Sequence, residues 1–181
     1  MNIHPEIISE WKSELHDIDN DSEGLSSLSM FFSRAYVTVQ ANHPLLSMYV
    51  EERIQQQGSL DVDFAVAYNT GFSIMYNLLS ASFKEKEIDF QITPEDMTFH
   101  EGQSNQLFLE LQEADRAEIF RGLKGVSNTN VAILFQTIKS CSPDIAGSLQ
   151  KLLKEIENVN MLRLAICGIC DGFLPFYSKF N

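Results

Sequence analysis

Residues 62–83 read VDFAVAYNTGFSIMYNLLSASF, and their spacing decides the fold. Val62, Ala65, Tyr68, Phe72, Met75, Leu79 and Phe83 recur at intervals of three and four, the period of one face of an α-helix. From Phe64 to Phe83 there is no charge, and these 20 residues are long enough to consider as a membrane span. Asn69, Thr70, Ser73, Asn77, Ser80 and Ser82 argue instead for a helix half-buried among others. Its flanks are weakly polar rather than charged, so it belongs at the centre of a bundle.

Working outward, helical periodicity continues upstream. Ile7, Ile8, Trp11, Leu15 and Ile18 fall on one face, with Glu6, Glu10 and Glu14 on the other. A second stripe runs through Leu25, Leu28, Phe31, Phe32, Ala35, Tyr36 and Val39. His43-Pro44 restarts a helix that carries Leu45, Leu46, Tyr49, Val50 and Ile54 and stops at Gly58. Downstream the period changes. Ile88, Phe90 and Ile92 alternate with polar residues, as do Leu107, Leu109 and Leu111, which is the two-residue period of strands. With Thr93-Pro94-Glu95-Asp96 as a turn and Met97 to His100 as a middle strand, 88–111 reads as a small antiparallel β-meander. A rival reading makes Thr93 a helix cap, with acids in the first turn.

The last third is helical again. One helix covers 113–124 and ends at Gly125, and Asn128 caps a second bearing Val131, Leu134, Phe135 and Ile138. Ser142-Pro143-Asp144 starts a third with Ile145, Leu149, Leu152, Leu153 and Ile156. Residues 161–180 are apolar nearly all round, which suggests a buried helix, with a strand as the alternative for 161–166. The expected fold is mainly α: a compact helical bundle with a small β-meander near 88–111, residues 1–181 forming a single globular domain.

Composition narrows the function. The 181 residues are 44% apolar and 21% charged, which excludes disordered, collagenous and disulfide-scaffold classes. Twenty-five acids against 13 bases give a net charge of −12, unfavourable for bare nucleic acid. The charge is uneven: −6 over residues 1–24, −7 over 84–118 and +3 over 119–181. The N-terminus has neither the basic region nor the apolar core of a signal peptide, and no membrane association is expected. Cys141, Cys167 and Cys170, an odd number, fit reduced thiols in a cytoplasm.

Four constellations could carry chemistry. Cys167-Gly168-Ile169-Cys170 has metal or dithiol spacing, but a structural zinc site needs four ligands, so two small buried core residues are the simpler reading. Asp19-Asn20-Asp21-Ser22-Glu23-Gly24 resembles the start of a calcium loop but meets Met30 where the closing carboxylate belongs, so it reads as an acidic turn. His100-Glu101-Gly102-Gln103-Ser104-Asn105 gathers a base, an acid and a hydroxyl without a nucleophile elbow, and reads as a solvated turn. Phe173, Phe176, Tyr177 and Phe180 share a face that either closes the core or, left exposed, forms an association patch supporting a homo-oligomer.

These features favour a non-enzymatic acidic interaction protein that binds or inhibits a basic protein partner, of the immunity, anti-defence or chaperone type. Its expected contact surface is the ridge of Glu6, Glu10, Glu14, Asp17, Asp19 and Asp21. The alternative is a helical sensory domain enclosing an apolar small molecule. A small enzyme ranks third, with no residue assigned a catalytic role. Neither cofactor nor metal is expected.

Overall fold

In a computed structural model, residues 35–56, 62–85 and 91–180 are described. A helical stretch at 35–42 leads into α1 (Pro44–Gln56), followed by α2 (Val62–Glu85), α3 (Pro94–Glu113) and α4 (Arg116–Leu123). Then come α5 (Asn130–Cys141), α6 (Pro143–Glu155) and α7 (Val159–Phe173), which runs into a short 3-10 helix (Leu174–Phe180). Among the described residues there is no strand.

α2, charge-free from Phe64 to Phe83, is the core helix its spacing predicts, with Tyr68, Phe72, Met75, Leu79 and Phe83 all buried. Its main partner is α7, and small residues set how closely the two approach. A Cβ at Gly71 would overlap the carbonyl of Ala165, and one at Gly168 would overlap the backbone of Tyr68 and Phe72. The backbones therefore touch where larger residues would hold helices 8–10 Å apart, axis to axis. Tyr68, Phe72 and Tyr76 form a stacked column along α2, with ring centroids 6.4 and 6.0 Å apart.

The expected β-meander is corrected: Ile92 is not in a strand, and 94–111 lies within the helix α3. The Thr93 side chain accepts from the amide of Asp96, and the Asp96 carboxylate accepts from the amide of Thr93, a reciprocal cap with Pro94 in the first turn. The helix buries His100, Ser104, Leu107 and Leu111 at helical spacing. Leu109 is 64% exposed, so the apparent alternation of leucines is an accident of one leucine facing solvent. Ile88 and Phe90 lie outside the described residues.

The helix starts in the last third are nearly as read. Asp115 caps α4, dividing the single helix expected over 113–124, and Thr129 rather than Asn128 caps α5. Ser142 and Pro143 begin α6 as expected. Gly125, at φ 71°, takes the left-handed conformation that turns the chain after α4. Val159–Lys179 is long and apolar enough to cross a membrane, yet 72% of its most apolar window is buried inside the bundle, as a core helix would be.

Candidate functional site

A carboxylate inside a hydrocarbon core is costly unless its charge and lone pairs are met. Asp171 on α7 is fully buried, and three other helices supply its partners. From α2, the Tyr68 hydroxyl donates to Oδ2 at 2.6 Å, and from α3, Ser104 donates to Oδ1 at 2.5 Å. Arg53, on the last turn of α1, brings Nε to 3.6 Å of Oδ2. Its Nη2 donates to Ser104 Oγ at 2.6 Å and to the Tyr49 hydroxyl at 2.5 Å. The guanidinium also lies over the rings of Tyr49 and Phe108, at 5.3 and 5.2 Å from their centroids. Burial is the largest single influence and disfavours its charge, but Asp171 together with Tyr49, Tyr68 and Cys167 outweighs this and holds the pKa above its ordinary value.

His100 Nε2 lies 3.4 Å from Asp171 Oδ1, and neither ring nitrogen makes a hydrogen bond. The residues named in sequence as a solvated turn thus sit on a helix, with His100 and Ser104 one turn apart on its buried face. His, Asp and Ser resemble a hydrolytic set in composition only. Ser104 gives its proton to Asp171 rather than to an imidazole, so its oxygen is not activated for attack. The geometry does something else: it neutralises one buried carboxylate by joining α1, α2, α3 and α7.

Cys167 and Cys170 are buried on α7 as free thiols. Burial and then the Asp171 carboxylate push both pKa values well above the ordinary thiol range, which keeps them protonated and poorly nucleophilic. Among the described residues, no three His, Cys, Asp or Glu side chains are grouped so as to hold a metal ion. Phe173 and Phe176 are buried, which corrects the association patch at those positions: both close the core, and Tyr177 is half-buried. The side chain of Phe180 lies outside the described residues, as do Glu6, Glu10, Glu14, Asp17, Asp19 and Asp21 and the calcium-like turn.

A second feature lies at the surface. A half-open cavity of about 160 Å³ sits between α3, α5 and the 3-10 helix. Leu107, Leu134 and Cys170 are its buried lining, while Phe99 and Ile133, 46% and 55% exposed, also line it. Beside it, Glu110 of α3 accepts from the amides of Asn130 and Val131, placing a carboxylate on the N-terminus of α5. No family model matches the chain, and neither a curated protein nor a solved structure is significantly similar to it.

The buried imidazoles give the fold a pH dependence. His43, 2% exposed, meets the rings of Tyr76 and Phe176 edge-on, and burial lowers its pKa to about 4. His100 is likewise lowered by burial, against the pull of Asp171. Unfolded histidine takes up a proton near pH 6.5, so between about pH 6.5 and 4 the unfolded state binds more protons and native stability falls. For His43 the loss reaches at most about 3 kcal/mol near pH 4. Urea denaturation followed from neutral pH down to about pH 4.5 should show this decline, and His43→Phe should flatten it. A flat profile in the unmutated protein would mean that both rings are protonated in the fold.

Proposed function

We propose that the chain is a non-enzymatic acidic interaction protein, acting in the cytoplasm, that binds or inhibits a basic protein partner of the immunity, anti-defence or chaperone type. The observation that carries this reading is its charge. The net −12 is concentrated in segments, and α3 alone bears Glu95, Asp96, Glu101, Glu110 and Glu113 without a lysine or arginine. Such a field raises the encounter rate with basic surfaces and repels polyphosphates. The sealed Asp171 cluster supports the same reading, since Asp171, Arg53, Tyr68 and Ser104 are spent on one another. The cavity of about 160 Å³ is smaller than the roughly 300–1,000 Å³ of typical ligand pockets, which counts against an enclosed cofactor or metabolite.

The test is affinity capture from the source cell lysate at low and at physiological salt. Capture should weaken with salt, as the screening length contracts from about 30 to about 8 Å. Reversing Glu10, Glu14 and Asp17 to Lys should slow association about tenfold while the fold survives. Equal capture by this variant at low salt would reduce the N-terminal acids to a solvated face.

A further inference from the structure

We infer that the half-open cavity between α3, α5 and the 3-10 helix receives one aromatic side chain, carried on a Lys/Arg-rich segment of a partner protein. The inference rests on the interaction reading above and gives it an address. Size is the first argument. At about 160 Å³ the cavity is close to the roughly 150 Å³ apolar cavity that accepts benzene, so it seats one six-membered ring while the rest of a larger aromatic side chain projects through its open side. Shape is the second. Phe99 stacks on Tyr177 at 5.9 Å with an interplanar angle of 20°, so one wall is already an aromatic pair that a third ring can extend. Ile133 stands opposite on α5, and Gln103 and Thr137 add polar groups for the incoming backbone.

Charge identifies what the ring is attached to. At about 100° per residue, Glu95 and Glu113 fall within about 40° of Phe99 on the surface of α3. They lie about 6 and 21 Å from it along the helix axis, on opposite sides. Both are exposed. Asp96 is already engaged by Ser178 and Lys179, Glu110 by the N-terminus of α5, and Glu101 falls about 160° from Phe99 around the helix, so Glu95 and Glu113 are the carboxylates that face an incoming chain. An extended segment covers the longer distance in about six residues. The partner should therefore place one cation beside its aromatic residue and another about six residues away.

The experiment uses the full-length, isotopically labelled protein at low salt. The probe is a twelve-residue peptide of lysine and serine with one central tryptophan, compared with its Trp→Ala counterpart and with free indole. The tryptophan peptide should shift the methyl signals of Ile133, Leu134 and Leu174 and bind at least about tenfold more tightly than the alanine peptide. Ile133→Asp should abolish the difference between the two peptides. Glu95→Lys with Glu113→Lys should weaken both peptides without moving the shifted methyls. Shifts confined to another surface, or equal affinity for the two peptides, would overturn the site while leaving salt-dependent capture from lysate, and hence the interaction reading, intact. Indole binding as tightly as the peptide would overturn it in favour of a free small molecule. Binding seen only after Trp11→Ala would overturn it in favour of the chain's own N-terminal segment.

Discussion

Asp171→Ala is expected to cost about 3–5 kcal/mol, a large share of the roughly 5–15 kcal/mol that holds an ordinary domain folded. The loss comes less from the missing attraction than from what stays behind. Arg53 keeps a positive charge in the core, and Tyr68 and Ser104 lose their acceptor. Asp171→Asn should fare little better, because an amide does not compensate the guanidinium. The informative variant is Asp171→Leu combined with Arg53→Met, which removes both charges and keeps apolar volume. That pair should recover most of the loss, since replacing a whole buried ion pair with hydrocarbon is often neutral. Urea denaturation of the singles and the double decides the matter. A double whose loss equals the sum of the two single losses would show that Asp171 and Arg53 are not coupled.

Gly168→Ala should be comparably severe. In an isolated helix this change is favourable by about 1 kcal/mol. Here the added Cβ meets the carbonyl oxygen of Tyr68 and the amide nitrogen of Phe72, backbone atoms that cannot swing aside like a side chain. The two central helices must separate, loosening the contacts of Phe72 and Met75 as well. Overpacking of this kind costs about 1–3 kcal/mol at flexible sites, and a backbone clash belongs at or above the upper end, so the clash outweighs the propensity gain. Gly102→Ala is the control, because a Cβ there meets nothing within 4 Å and should be stabilising. Thermal melting of both variants checks the contrast. A Gly168→Ala melting temperature at or above that of the parent would mean that the helices are farther apart than described.

Much of the fold was legible because apolar residues repeat with one dominant period. On α2 the seven expected core positions form one uninterrupted helical stripe, and on α6 the Ser142-Pro143 start is local chemistry. α3 was misread because its buried stripe includes His100 and Ser104, polar residues whose burial depends on a carboxylate 67 or more residues away. Thr93-Pro94-Glu95-Asp96 suits either a turn or a capped helix, and local rules do not choose between them. The polar cluster was missed for the same reason. One signal did exist: Asp171 is the sole charge between Arg163 and Lys179, and a lone acid in an apolar run calls for a buried partner. Nothing in the sequence around Arg53 marks it as that partner, since it resembles any basic residue near a helix end. The acidic ridge at the N-terminus lies outside the described residues, so it remains a proposal.

The joining of α1, α2, α3 and α7 through one carboxylate also shapes the landscape between folded and unfolded states. A bundle held only by apolar contacts can shed an end helix at moderate cost and breathe in pieces. Here, peeling α1 away withdraws the guanidinium and leaves Asp171 charged inside what remains. Partly assembled forms are therefore raised in energy relative to both end states, which sharpens the transition toward all-or-none behaviour. A protease or a binding partner then meets either the complete bundle or an open chain, with little in between.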